Sequence, residues 1–261
     1  MSITPDIHIT HDGREWANDA ATLVLDTSEI AIRSHGRCLI ALSGGTTPRT
    51  LYETLTAPEW KERFDWSRIL FLFGDERCVP PEHPGSNFAM AQSALFQPLG
   101  IPPDYIYRMK GEIEDPFAAA QEYEDVLRHL TDCATPHFPR IDIILLGLGE
   151  DGHTASLFPG TEALHEQTKA VTVGHAPTGI HSRLTLSLGV LNQATVVLFL
   201  VTGSGKAPIV RRILDPQSPS DRALPATQVA PVTGRLIWML DRSAATQLAI
   251  QDTGIRSHNQ A

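Results

Sequence analysis

Five short, almost unbroken apolar runs punctuate the chain, at 38–42, 69–73, 141–146, 195–201 and 236–240. A strand buried on both faces reads this way, because helices cover the sheet on either side. Helical periods lie between the runs. Residues 14–35 place Trp16, Ala20, Leu23, Val24, Thr27, Ile30 and Ala31 on one face. Pro48 is set to open a helix over 48–56, and Ser86 to cap one through Phe96. Asp115-Pro116 opens another that carries Ala119, Ala120, Tyr123, Val126, Leu127 and Leu130, and 204–214 reads as a further helix. Strand and helix in alternation predict a doubly wound, mostly parallel α/β sheet, Rossmann-like, with helices on both faces. Residues 183–187 alternate as a half-buried strand would. A short helix is expected after the last strand, and a polar tail over 254–261. The Pro- and Ser-rich stretch 215–225 reads as a loop. With 261 residues, no internal repeat and no linker, a single domain over 1–261 is expected.

The formal net charge of −9 argues against a nucleic-acid surface. It leaves room for an anionic substrate, since a local group of arginines and lysines can dominate one pocket. Cys38, Cys78 and Cys133 are too few and too scattered for a disulfide framework or a zinc knuckle, so reduced cysteines in a cytoplasmic protein are expected. The opening MSITPDIHITHDG lacks a charged stretch followed by an apolar one, so no signal peptide is expected. No apolar run nears the ~18 residues that span a membrane. The eleven histidines show no metal-ligand spacing.

Four loops, each read as leaving a strand end, carry candidate chemistry. The run 141–146 leads into GLGEDGHTASLFP at 147–159, a glycine-rich loop with His153 two residues from Asp151. Ligands bind at the carboxyl ends of strands in open α/β sheets. An acid beside a histidine fixes its tautomer and raises its basicity. Gly147, Gly149 and Gly152 also fit the dinucleotide fingerprint G-x-G-x-x-G. Glu150 and Asp151 would repel a pyrophosphate, Pro159 leaves little room for the helix, and no ribose-binding acid follows, so nicotinamide binding is not expected. Ser156 lacks the G-x-S-x-G setting of a nucleophile. Ser43-Gly44-Gly45-Thr46-Thr47-Pro48 presents backbone N–H groups suited to an anion. Gly74-Asp75-Glu76-Arg77, with Gly85-Ser86-Asn87 nearby, sets two acids and an arginine after a buried strand. Arg183 and Gly203-Ser204-Gly205-Lys206 add positive charge. The latter fails as a P-loop, because Leu200 and Ala207 replace its glycine and hydroxyl residue.

Together, SGGTTPRTLYETL at 43–55, FGDERCVPPEHPGSNFAMA at 73–91, LLGLGEDGHTASLFPG at 145–160 and TGSGKAPIVRRIL at 202–214 resemble the 6-phosphogluconolactonase family. The blocks occur in that family's order and cover nearly the whole chain. The SGG-x-TP block is shared with the related glucosamine-6-phosphate isomerases/deaminases, which form the alternative reading. A sugar-phosphate sensor on this fold is a third, but it usually carries a DNA-binding domain, for which no room is seen before the first strand. The resemblance implies hydrolysis of 6-phosphoglucono-1,5-lactone in the oxidative pentose phosphate pathway, with no metal and no organic cofactor. It implies that His153 is the general base and Asp151 its acidic neighbour. Asp75 and Arg77 match a catalytic polar pair. Ser43, Gly44, Gly45 and Thr46 match the loop lining the substrate, and Arg183 and Lys206 match basic residues near its phosphate. The expected partner is a small sugar-phosphate lactone, with no nucleic acid and no membrane.

Overall fold

The computed structural model describes residues 4–249. Six strands form one parallel sheet: β1 (Asp6–Thr10), β2 (Cys38–Leu42), β3 (Ile69–Phe73), β5 (Ile143–Leu146), β8 (Val196–Val201) and β9 (Arg235–Asp241). Their order is β3-β2-β5-β8-β9-β1. Every residue of β2, β5 and β8 is buried, as unbroken apolar runs require. Phe199 of β8 and Trp238 of β9 are ladder partners whose rings stack 4.0 Å apart. The doubly wound parallel sheet anticipated from sequence is present. Its connections part between β2 and β5: β2 runs on to β3 on one side, and β5 to β8 and β9 on the other. Such a switch point leaves a crevice at the strands' carboxyl ends.

The longest helix, α1 (Gly13–His35), starts at Asp12, whose side chain accepts the N–H groups of Arg14 and Glu15, each at 2.8 Å. Trp16 docks it on the sheet by donating to the Met239 carbonyl at 3.0 Å. Helix α2 (Thr46–Leu55) begins two residues earlier than Pro48 suggests. Ser86 caps α3 (Asn87–Ala91), which runs on through a π-helical turn, Gln92–Phe96. Asp115 caps α4 (Pro116–Thr131), and α5 spans Ala207–Leu214 after a 3-10 turn, Ser204–Lys206.

The structure departs from the sequence reading at several places. Residues 75–77 are not loop: β4 (Asp75–Arg77), β7 (Ser182–Leu186) and β6 (Val171–His175) form a second, antiparallel sheet. A three-residue strand is too short to show a period. The alternation at 183–187 belongs to this smaller sheet and not to the parallel one. Strand β1 adds an edge to the parallel sheet ahead of the five apolar runs, and its five residues alternate, with Ile7 and Ile9 between polar neighbours, in place of an apolar run. The stretch 215–225 contains a short helix, Pro219–Arg222, closed by a reciprocal Ser218–Asp221 capping box. After β9 the chain forms turns over 242–247 instead of the expected helix. The tail at 254–261 lies outside the described residues.

Candidate active site

A cleft of about 270 Å³ opens at the switch point, over the carboxyl ends of β2, β5 and β8. Nine of the ten residues singled out from sequence line it: Ser43, Gly44, Gly45, Thr46, Asp75, Arg77, His153, Arg183 and Lys206. The tenth, Asp151, stands behind His153 and is bonded to it. The His153 Nδ1 lies 2.5 Å from Asp151 Oδ1, and the His153 backbone N–H donates to the same oxygen at 3.1 Å. A carboxylate only accepts, so Nδ1 carries the proton and Nε2 is left as the basic nitrogen. Burial works to raise the Asp151 carboxyl. The hydrogen bonds and charge of His153 outweigh it and hold the group below its ordinary value.

The loop is shaped for this pair. The Gly149 N–H donates to the His153 carbonyl at 2.9 Å, and a Cβ on Gly149 would stand 2.1 Å from His153 Nδ1. Only glycine permits that passage. Thr154 Oγ1 donates to the Gly147 carbonyl at 2.9 Å and ties the loop to the end of β5. Ala155, in the cleft wall, holds a left-handed φ of 48°, a strained conformation for a residue with a Cβ. The Phe158 ring packs on His153 with centroids 4.5 Å apart.

Positive charge enters from two directions. Arg77 on β4 and Arg183 on β7 face each other across the antiparallel ladder. Arg77 Nη1 donates to the Gly85 carbonyl at 2.6 Å, and Arg183 Nε to that of Ile180 at 2.7 Å. Burial, followed by the Arg77 charge, pulls the Arg183 guanidinium below its usual range, against the opposing pull of Asp75 and Glu76. Lys206 comes from the far wall. Helix α2 has no side-chain cap, so its first N–H groups remain available to an anion. Thr47 and Thr202 share a 2.9 Å hydrogen bond that joins this helix to the loop before Lys206.

Asp75 is buried, and Asn87, which was flagged in sequence but given no role, also lines the cleft. Ser156 is 0% exposed and donates to Asp75 at 2.6 Å, so it is no nucleophile. The spacing of the D-E-R and S-N blocks was the signal that pointed to Asn87. Nothing in the sequence distinguished Ser156 from a surface hydroxyl.

Fold and site define an open α/β protein whose ligand crevice holds an acid-paired histidine facing arginine and lysine. A family model described as glucosamine-6-phosphate isomerases/6-phosphogluconolactonase matches residues 11–238. The chain belongs to that family. The 6-phosphogluconolactonase of Synechocystis sp. is 41% identical over 228 residues, spanning 87% of this chain and 92% of its own. That of Rattus norvegicus is 39% identical over 251 residues, 94% of each chain. The solved 6-phosphogluconolactonase of Trypanosoma brucei matches with a TM-score of 0.82 at 29% identity, over 95% of this chain and 100% of that one.

Proposed function

We propose that this protein hydrolyses 6-phosphoglucono-1,5-lactone to 6-phosphogluconate, the lactone-opening reaction of the oxidative pentose phosphate pathway. The observation that carries the reading is His153, its Nδ1 bound by Asp151, in a cleft lined by Arg77, Arg183 and Lys206. Water attacks the C1 carbonyl and yields a proton to His153 Nε2. General-base help of this kind contributes about 10²–10⁴-fold. Asp151 stabilises the imidazolium that forms. Arg77 and loop N–H groups face the developing oxyanion. Collapse of the tetrahedral species breaks the bond from C1 to the ring oxygen, and His153 returns the proton to that oxygen. Lys206, Arg183 and the uncapped start of α2 hold the phosphate, so binding energy remote from C1 orients the ring.

The isomerase/deaminase alternative needs acid-base partners on several substrate atoms. In that pattern a glutamate stands five residues after the loop histidine, and here the position is Phe158, which transfers no proton. No helix among the described residues is long and apolar enough to cross a membrane. We place the reaction in the cytoplasm, a setting that suits the free thiols of Cys38, Cys78 and Cys133.

The test is turnover of freshly generated lactone by purified protein, corrected for spontaneous opening, beside ammonia release from glucosamine 6-phosphate. Rapid lactone opening without ammonia is expected. Ammonia release at a comparable rate would overturn the reading.

A further inference from the structure

Asp75 lies where three walls of the cleft meet, and each of its carboxylate oxygens accepts from a buried side chain. Oδ2 accepts from Ser156 Oγ at 2.6 Å. Oδ1 accepts from Asn87 Nδ2 at 3.0 Å, and the same amide donates to the Asp75 backbone carbonyl at 2.8 Å. Turning the Asn87 amide over would set its oxygen against both Asp75 oxygens, so its orientation follows from its partners. Its Oδ1 is buried without a partner and packs on Gly44, where a Cβ would stand only 1.9 Å away. Ser156 sits three residues after His153 in the same loop, and its N–H donates to Thr185 Oγ1 of β7 at 3.1 Å. The neighbouring Glu76 carboxylate fastens β4 to α3 a second time. It accepts the N–H groups of Asn87 at 2.7 Å and Phe88 at 2.8 Å, and Ser86 Oγ at 2.9 Å.

We infer that Ser156 and Asn87 are positioning residues that act through Asp75. They hold β4, and with it Arg77, in register with the His153 loop and the Gly44 turn. A buried carboxylate is costly without donors, and charge-assisted hydrogen bonds in a dry site are strong. The Asp75 carboxylate therefore fixes the relative placement of segments far apart in sequence. The inference rests on the lactonase reading, since it assigns Arg77 and His153 to one transition state. Misplacing such groups lowers kcat more than it raises KM, because their interactions form as the reaction proceeds.

The experiment measures kcat and KM for Ser156→Ala, Asn87→Ala, Asp75→Ala and the Asp75→Ala/Ser156→Ala double variant, with melting curves to establish folding. Each single variant at 156 or 87 is expected to lose roughly 10- to 100-fold in kcat with KM within about twofold. In the Asp75→Ala background, Ser156→Ala is expected to cost almost nothing further, because its acceptor is gone. Multiplying losses, or a loss confined to KM, would overturn the inference. Should Asp75→Ala fail to fold, Ser156→Cys carries the test. A thiol is a weaker donor in the same place, so it should recover part of the kcat lost in Ser156→Ala, and no recovery would count against the clamp. Wild-type turnover tests the lactonase reading, while the ratio of variant to wild type tests the clamp, so the two fail separately.

Discussion

His153 and Asp151 meet through one carboxylate oxygen that also caps the histidine's own backbone N–H. One acid thereby sets both the tautomer and the position of the ring. In the proposed mechanism, removing the ring removes the base and leaves in place the basic residues assigned to the phosphate. His153→Ala is expected to lower kcat at least about 100-fold with KM little changed. A folded variant with near wild-type kcat would take His153 out of the mechanism. The Asp151 carboxyl titrates below its ordinary 3.8, so its contribution to stability is present above that pH and is lost as pH falls through the depressed value. The melting temperature of wild type should exceed that of Asp151→Asn between roughly pH 5 and 7, and the gap should close as pH falls below about 3.8. A gap that widens on acidification would contradict the pairing. His153 and Asp151 were legible because they are two residues apart. Asp75 was legible as an acid after a strand, but its donors, 12 and 81 residues away, were not.

At the scale of elements, the wall proposed to bind the phosphate combines a turn, a helix start and a lysine. Gly44 and Gly45 carry the chain from β2 into α2, whose first N–H groups no side chain caps. Lys206 approaches from the 3-10 turn that precedes α5. Lys206→Ala is expected to raise KM for the phosphorylated lactone and leave hydrolysis of phosphate-free gluconolactone almost unchanged. Equal losses on both substrates would show that Lys206 does something other than bind phosphate. Gly44→Ala would press a Cβ into the Asn87 amide, which is pinned by Asp75 and has little freedom to yield. That variant is expected to lose both thermal stability and kcat, as read by melting and turnover. The long helices and buried strands were visible because their periods repeat over many residues. Strand β4 spans three residues, too few for a period to show, and β1 alternates polar and apolar residues over only five positions, without the apolar run that marks the buried strands.

For the whole molecule, the sheet is a rigid base whose carboxyl edge holds the loops in place. Phe199 and Trp238 stack in its interior, and neither of them lines the cleft. Phe199→Ala is expected to cost about 3–5 kcal/mol of stability, a large part of the roughly 5–15 kcal/mol that holds a typical domain folded. The surviving folded protein should keep its KM, and denaturant melts beside steady-state kinetics would separate the two effects. Apolar runs, helical periods and short motifs foretell the parallel sheet, its helices and the four chemical segments, because burial and hydrogen-bonding preferences are written locally. That these segments close on one cleft, that Arg183 faces Arg77 across a second sheet, and that Ser156 and Asn87 converge on Asp75 depends on the packing of the whole chain. Those are contacts between distant parts of the chain, and they arise only once strand order brings the loops together.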